Sequence, residues 1–382
     1  MGIIARLTGK DKTQSSKKIL ELTPELIKEA LTGIIDPDLH ENIVSLGFVR
    51  DIVIKDSNVS LSINLTTPAC PVKEHFKKQA EEALAKIPGI GDIQITMTAV
   101  SPTAPKYENG EVSSLGRVKN ILAVASGKGG VGKSTTSIHL AKALALSGAK
   151  VGLMDADVYG PSIPHATGVG TPTEMNGKLL IPPSKDGIKM VSISMFASAD
   201  GAQILRGPMA GNVVKQFLTQ VDWGELDYLI IDYPPGTGDI QLTISQTAPI
   251  TAGVIVTTPQ EMALIDVRKA ISMFNTMKVP VLGIIENMSY FICDGCDKKH
   301  YLFNHGGGHK IANEFGLPFL GEIPLEPIIG NESEKQRTVF EKNSSSAISK
   351  AIQDISDNAV RALSVLQNKK ISGLESFHLT WK

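Results

Sequence analysis

The sequence predicts an α/β protein in which a doubly wound, mostly parallel sheet domain follows a small α+β domain. Two patterns lead to this prediction. From Val118 onward, short and continuously apolar runs alternate with helical stretches, which is typical of parallel strands that helices bury on both faces. Between residues 20 and 100, apolar and polar residues alternate on both sides of a turn, as in a β-hairpin, and amphipathic helices flank this stretch.

Composition and charge are those of an ordinary globular protein. Of the 382 residues, 42% are hydrophobic and 20% are charged, and the formal net charge is −1. Because a near-neutral chain has no bulk attraction for nucleic acid or an anionic membrane, we expect neither as a partner. We find no signal peptide and no stretch long enough to span a bilayer, so the predicted location is the cytoplasm. With three cysteines, a disulfide framework is not expected there.

The small α+β domain is predicted over residues 20–100. A helix begins after Thr23, a good capping residue, and the run VRDIVIKDSNVSLSINLT forms the hairpin with its turn at residues 56–58. A second amphipathic helix in CPVKEHFKKQAEEALAKI and a final strand in GDIQITMTAV complete the domain.

A linker is predicted over residues 101–117, because this stretch is rich in Pro, Ser and Gly and lacks periodicity. The larger domain is predicted over residues 118–368, with strands in NILAVAS, KVGLMDAD, DYLIIDYPP, AGVIVTTP and PVLGIIENM. The tail, residues 369–382, has no predicted element. Since the linker separates two cores, we expect the two domains to fold independently.

A phosphate-binding loop lies between the first strand of the larger domain and the following helix. Its sequence, GKGGVGKS, satisfies G-x-x-x-x-G-K-[ST] in the strand–loop–helix context that the motif requires. Backbone N–H groups of such a loop converge on phosphate oxygens, while Lys133 is expected to contact the β- and γ-phosphates and Ser134 to ligate Mg²⁺. The predicted ATP-binding residues of the loop are Gly127, Lys128, Gly129, Gly130, Val131, Gly132, Lys133, Ser134 and Thr135.

A second lysine, Lys128, directly follows the first glycine of this loop. An ordinary phosphate loop does not need it. The variant resembles the deviant Walker A motif of the family that includes the septum-site and partition ATPases, nitrogenase iron protein and the Mrp-type ATPases. In that family the extra lysine reaches the phosphates of the partner subunit, so the resemblance implies a homodimer in which Lys128 is catalytic in trans. The alternative is a solvated loop lysine.

Polar residues at strand ends complete the predicted nucleotide site. Asp155 and Asp157 follow one strand, and Asp232 ends another at the Walker B position. We expect Asp157 and Asp232 to join Ser134 in binding Mg²⁺, while the family resemblance implies that Asp155 positions the attacking water. Asn287 is predicted to contact the base or, alternatively, to cap a turn. No aspartate follows it closely, which favours ATP over GTP.

Cys293 and Cys296 form a C-x-x-C pair, which is a metal-ligand spacing. A thiolate site usually takes four ligands, so two more are required. His305 and His309 would complete a tetrahedral zinc site within one chain, although the central gap is shorter than usual. The pair could also bind no metal.

The larger domain resembles the Mrp-type iron–sulfur cluster carrier ATPases over roughly residues 110–365. The resemblance rests on the C-x-x-C, which partition ATPases lack, and on GPS at 160–162, RGPM at 206–209, DWGELDYLIIDYPPGTGD at 222–239, IENMSYFICDGC and GEIPLEP. It implies a homodimer in which two C-x-x-C pairs hold one labile [4Fe–4S] cluster. It also implies ATP and Mg²⁺ as cofactors, apo iron–sulfur proteins as clients and an assembly scaffold as donor. Asp294 and Asp297 depart from the usual Pro and Gly of the family.

The small domain resembles the iron–sulfur assembly domains that are often fused to these carriers. Cys70 is predicted at the start of its second helix, where a helix N-terminus lowers the pKa of a thiol. It is a secondary candidate for receiving or handing over iron or a cluster, and the alternative is a small buried core residue.

The sequence favours an ATP-hydrolysing iron–sulfur cluster carrier. The alternative function is that of a spatial-positioning or partition-type ATPase with a structural zinc site. Membrane-binding versions of such ATPases end in a basic amphipathic helix, which the tail QNKKISGLESFHLTWK does not resemble. The near-neutral charge argues against DNA binding.

Overall fold

The computed structural model describes residues 22–99, 114–172, 174–196, 207–293, 295–296 and 298–371. Most of the predicted linker and tail therefore lies outside the described residues. The chain divides into two compact units. One comprises the residues up to 36 with 40–64 and 74–97, and the other comprises 37–39, 65–73 and the chain from residue 98 onward.

The smaller unit is built around a three-stranded sheet in the order β1-β2-β3, in which β1 and β2 pair antiparallel. Its elements are α1 (Pro24–Leu31), β1 (Val49–Lys55), β2 (Asn58–Leu65), α2 (Lys73–Leu84) and β3 (Ile93–Ala99). Thr23 caps α1 as predicted, since its Oγ1 accepts a hydrogen bond from the backbone N–H of Leu26 at 3.3 Å. The predicted α+β fold of this region is confirmed.

The larger unit contains an eight-stranded sheet in the order β15-β12-β11-β4-β10-β5-β9-β8. All neighbours are parallel except β8, which pairs antiparallel with β9. The strands of this unit are β4 (Val118–Ala125), β5 (Val151–Asp155), β6 (Met175–Asn176), β7 (Leu179–Leu180), β8 (Ser184–Lys185), β9 (Ile188–Val191), β10 (Leu226–Asp232), β11 (Ala252–Thr257), β12 (Val281–Asn287), β13 (Phe291–Ile292), β14 (Lys299–His300) and β15 (Phe319–Ile323).

Helices cover both faces of this sheet. They are α3 (Lys133–Leu146), α4 (Ile163–Thr167), α5 (Gly207–Thr219), α6 (Asp239–Thr247), α7 (Glu261–Thr276), α8 (Gly307–Phe315), α9 (Pro327–Glu334), α10 (Val339–Asn343) and α11 (Ala347–Ile371). Alternate residues of β10 enter two different apolar clusters: Tyr228 and Ile230 join one, and Leu229 and Ile231 join the other. The predicted doubly wound α/β fold is confirmed.

The parallel order brings the carboxyl ends of the central strands to one edge of the sheet. Ligands of open α/β sheets bind at that edge, where the strand order reverses. Among the described helices, none is long and apolar enough to cross a bilayer.

The connection between β2 and α2, residues 65–73, groups with the larger unit. Within that unit Ala69 belongs to an apolar cluster of the sheet. Thr67 Oγ1 lies 2.6 Å from the hydroxyl of Tyr228, and both side chains are buried. Burial raises the pKa of Tyr228 well above its ordinary value, so this hydroxyl stays protonated and needs a hydrogen-bond partner.

Thr67→Val is expected to lower the free energy of unfolding by about 1–3 kcal/mol, because it leaves the buried Tyr228 hydroxyl unpaired. Chemical denaturation of Thr67→Val, Tyr228→Phe and the double variant measures this coupling. We expect the double variant to be little less stable than Thr67→Val alone, since the Tyr228 hydroxyl that Thr67→Val leaves unpaired is absent from the double variant. Additive losses would contradict the assigned contact.

Candidate functional site

The loop between β4 and α3 has the conformation of a phosphate-binding loop. Gly130 and Gly132 have φ angles of 80° and 81°, in the left-handed region that glycine adopts without strain. Helix α3 begins at the next residue, Lys133, so its unpaired N–H groups lie at the loop. A Cβ at Gly127 would lie 2.3 Å from the backbone carbon of Asp266, and the close approach of α7 therefore excludes a side chain there.

A buried polar cluster joins the start of α3 to the end of β10. Lys133 Nζ lies 2.8 Å from Asp232 Oδ2, and Ser134 Oγ donates to the same oxygen at 2.6 Å. Ser137 Oγ donates to Asp232 Oδ1 at 2.7 Å. The structure thus brings together three predicted residues and adds Ser137, which the sequence analysis missed. Its position three residues after Ser134, on the same helix face, could have indicated it.

Asp155 lies beside this cluster, because β5 and β10 pair it in register with Asp232. Burial, followed by the charge of Asp232, raises the pKa of Asp155 to about 7. Its Oδ1 accepts from the backbone N–H of Asp157 at 3.1 Å, and its Oδ2 accepts from Ser192 Oγ at 3.0 Å and from the N–H of Ile163 at 3.4 Å. Since this carboxyl exchanges its proton near neutral pH, it suits a group that orients or deprotonates water.

Asp155→Asn is expected to flatten the dependence of stability on pH. The ordinary pKa of this group is 3.8 and the folded value is about 7, so the folded protein retains a proton that the unfolded chain has lost over that interval. The stability that this carboxyl contributes is complete below the unfolded pKa and is lost as pH rises through the folded pKa. Asparagine has no such proton, so between pH 5.5 and 8.5 the native protein should lose ~2 kcal/mol more than the variant.

Chemical denaturation of both proteins at these two pH values measures the difference. Ser192→Ala is the matched control, because it removes one hydrogen bond from Asp155 and keeps the carboxyl. Parallel stability curves for the native protein and Asp155→Asn would show that Asp155 is ionised throughout this range.

Asn287 ties the end of β12 to the phosphate loop. Its Nδ2 donates to the carbonyl of Val131 at 2.8 Å, and its Oδ1 accepts from the N–H of Met288 at 2.9 Å. Beside it lies a pocket lined by Gly132, Thr135, Thr136, Met288, Pro324 and Leu325. The pocket adjoins the start of α3 and is a candidate site for the base, while the contact of Asn287 with the base stays a prediction.

Lys128 and Asp157 are not part of the buried cluster. Lys128 is half-buried, and within the described part of the chain no carboxylate lies within ion-pair distance of its ammonium group. Asp157 Oδ1 accepts from the backbone N–H of Gly160 at 3.1 Å and so caps a turn after β5. The structure therefore pairs Asp155, and not Asp157, with the Walker B carboxylate, and the predicted Mg²⁺ role of Asp157 stays a prediction.

The C-x-x-C pair occupies the turn of a short hairpin that directly follows β12. In this hairpin β13 pairs with β14, with Phe291 opposite His300. Cys293 is half-buried and Cys296 is exposed. The ligand atoms of Cys293, Cys296 and His300 all lie within 4.8 Å of one another.

The predicted zinc ligands His305 and His309 need a correction. The ring of His305 packs against the ring of Tyr301, with 4.2 Å between the ring centres. The ring of His309 packs against the ring of Phe319, with 5.2 Å between the ring centres. Among the described residues neither belongs to the ligand group around the thiols, which contains His300 instead. The sequence spacing was misleading because the chain turns at Gly306 and begins α8 between the two histidines. Asp294, Asp297 and Arg206 of the resemblance motifs lie outside the described residues.

Cys70 lies in the turn before α2, three residues ahead of the helix start at Lys73, so the predicted helix-start position is wrong. Its backbone N–H donates to the carbonyl of Thr67 at 3.3 Å, and its carbonyl accepts from the N–H of Lys73 at 3.2 Å. In the described part of the chain it is not a member of the ligand group at Cys293. Its role in handling iron stays a prediction.

Two protein-family models match the chain. The ParA model, described as NUBPL iron-transfer P-loop NTPase, matches residues 117–360. The model described as iron-sulfur cluster assembly protein matches residues 24–97.

Individual relatives match over most of the chain. The iron-sulfur cluster carrier protein of Synechocystis sp. is 44% identical over 340 residues, which are 87% of this chain and 96% of that protein. The chloroplastic Fe-S cluster assembly factor HCF101 of Arabidopsis thaliana is 43% identical over 89% of this chain, which spans 64% of that longer protein.

A solved structure of a nucleotide-binding protein from Archaeoglobus fulgidus in complex with ADP is 42% identical, with a TM-score of 0.52. The match covers 59% of this chain and 89% of that protein. Together with the phosphate-loop geometry, these matches establish that the chain belongs to the NUBPL-type iron-transfer P-loop NTPase family and carries an iron–sulfur cluster assembly domain ahead of its NTPase domain.

Proposed function

We propose that this protein is an ATP-hydrolysing carrier that holds a labile [4Fe–4S] cluster between two copies of the chain. It receives the cluster from an assembly scaffold and transfers it to apo iron–sulfur proteins. The observation that carries this proposal is the pair Cys293 and Cys296 in an accessible hairpin turn of an iron-transfer NTPase. Because two thiolates are half of a cluster's usual ligands, a second chain supplies the other two.

The nucleotide site supports ATP hydrolysis. Lys133 forms an ion pair with Asp232. When ATP binds, the ammonium group donates hydrogen bonds to the β- and γ-phosphates instead. The hydroxyl of Ser134 and the carboxylate of Asp232 are hard oxygen donors, so they fit Mg²⁺, which would neutralise phosphate charge there. Asp155, with its raised pKa, orients the attacking water. Lys128 stabilises the developing charge from the partner chain.

A homodimer through the nucleotide edge is supported by exposed apolar side chains. Tyr159, Leu242 and Met262 are 64%, 49% and 71% exposed. They follow the carboxyl ends of β5, β10 and β11, at the same edge of the sheet as the phosphate loop. Large apolar side chains exposed at this edge support a surface that a partner covers, and a second chain placed there would also deliver Lys128.

Anaerobic reconstitution of the full chain with iron and sulfide tests this function. We expect about two irons and two sulfides per chain, in a dimer, because four of each form one shared cluster. Nucleotide assays on the same preparation should detect Mg²⁺-dependent ATP hydrolysis. A preparation that hydrolyses ATP but takes up no iron and sulfide would favour a partition-type ATPase.

A further inference from the structure

We infer that each chain, before it pairs, forms a mononuclear site for a divalent thiolate-binding cation such as Zn²⁺ or Fe²⁺, with Cys293, Cys296 and His300 as ligands. The inference rests on the proposed function, since the same two thiolates would hold the shared cluster. It adds a third ligand, His300, and a metal-bound state that needs one chain only.

The hairpin register places His300 beside the thiols. Phe291 and His300 are directly opposite each other in the β13–β14 pair. Side chains two residues apart along a strand lie on the same face, so Cys293 projects on the face of Phe291 and therefore of His300. The pairing continues past the strand ends, because the backbone N–H of Cys293 donates to the carbonyl of Lys298 at 3.0 Å. Diagonal neighbours of this kind are within reach of a long side chain.

The hairpin turn brings Cys296 close to Cys293 and His300. Its backbone N–H donates to the carbonyl of Cys293 at 3.3 Å, which closes the C-x-x-C into a tight turn. On the other face of the hairpin, the Lys299 ammonium group stacks on the Tyr290 ring, with Nζ 3.9 Å from the ring centre. The ammonium group is thus held away from the face on which the three ligands converge.

The three ligand atoms are close enough for one ion. With metal–sulfur and metal–nitrogen bonds of about 2.3 and 2.0 Å, tetrahedral ligand atoms are ~3.3–3.8 Å apart. All three ligand atoms lie within 4.8 Å of one another, so bonding distances need a closure of at most ~1.5 Å, which small rotations about the side-chain χ angles provide. Within the described part of the chain, neither ring nitrogen of His300 takes part in a hydrogen bond, so the ring can turn toward the ion.

The donor set selects the ion and leaves a position open. Two thiolates and one neutral imidazole balance the charge of a divalent cation, and softness and tetrahedral geometry favour Zn²⁺ or Fe²⁺ over Mg²⁺. Binding releases two thiol protons to solvent and transfers no electrons. A site with three protein ligands keeps a fourth position for water or an incoming thiolate. Exposure of Cys296 and His300 lets the ion enter and leave.

Titration of the reduced, metal-free full chain with Co²⁺ tests the site, because thiolate-to-cobalt absorption reports the ligands directly. We expect one Co²⁺ per chain in the monomer and displacement by Zn²⁺. His300→Ala should weaken binding by at least about tenfold, since even loss of an outer-shell contact costs that much. His305→Ala, the matched control, should bind like the native protein, and His300→Cys should retain one ion with stronger sulfur-to-cobalt absorption.

Two results would overturn the inference: unchanged Co²⁺ affinity and spectrum in His300→Ala, or one Co²⁺ per two chains in the native protein. Cluster reconstitution of His300→Ala separates this inference from the proposed function, because four thiolates suffice for the cluster and iron and sulfide uptake should persist. If the native chain binds Co²⁺ through His300 yet takes up no cluster, the carrier function fails and the mononuclear site stands. If the native chain takes up a cluster but His300→Ala binds Co²⁺ with unchanged affinity, the carrier function stands and the mononuclear site with His300 is wrong.

Discussion

Cys293→Ala should abolish cluster binding and leave ATP binding intact. A dimer of this variant offers only the two Cys296 thiolates, and a [4Fe–4S] cluster usually takes four. Iron and sulfide after anaerobic reconstitution should fall from about two of each per chain to almost none. Nucleotide affinity should not change, because the phosphate loop and the polar cluster at Asp232 lie on other elements.

The matched control is Cys70→Ala, which removes the cysteine outside the C-x-x-C pair. This variant should bind iron and sulfide at the native level. Cys70 lies outside the ligand group that the described residues form at Cys293. Full cluster uptake by Cys293→Ala would place the cluster elsewhere in the chain. Equal losses in both variants would instead implicate Cys70 as a ligand.

Lys128→Ala should reduce the rate of ATP hydrolysis by about 10³-fold or more, the scale of losing a charge that acts in trans on a transferring phosphoryl group. Nucleotide binding should persist, because the backbone of the loop and Lys133 remain. Lys133→Ala should also abolish hydrolysis, but it removes the partner of the fully buried Asp232, and breaking such a pair destabilises a protein by about 3–5 kcal/mol. Lys128→Ala therefore tests the loss of a catalytic charge without the loss of a buried ion pair. Substitution of the exposed Lys350 by alanine is its control.

Mixing the two inactive variants tests action in trans directly. In a mixed dimer, the chain with Lys128→Ala keeps its own Lys133 and receives Lys128 from the partner, so one of its two sites is complete. Random exchange of independent sites should restore about a quarter of the native rate. A mixture as inactive as its components would show that Lys128 acts within its own chain or not at all.

Local patterns predicted much of this molecule correctly. The phosphate loop from Gly127 to Ser134 is recognisable because its glycines, its lysine and the helix start belong to one short segment. The buried strands β4, β5, β10, β11 and β12 are recognisable because burial on both faces requires continuously apolar runs. Strands β9 and β15 are not predicted, because Lys189 interrupts the apolar run of β9 and Gly321 and Glu322 interrupt that of β15.

The sequence by itself determined which side chains stand at strand ends and loop starts, and hence the family. Only the tertiary structure decided which of them meet. The order β4-β10-β5 sets Asp155, and not Asp157, beside Asp232. Burial there, followed by the charge of Asp232, raises the pKa of Asp155. The hairpin register brings His300, and not His305 or His309, to the thiols. Spacing along a chain specifies neighbours within one element, whereas neighbours across elements depend on strand order, register and packing, which no single segment encodes.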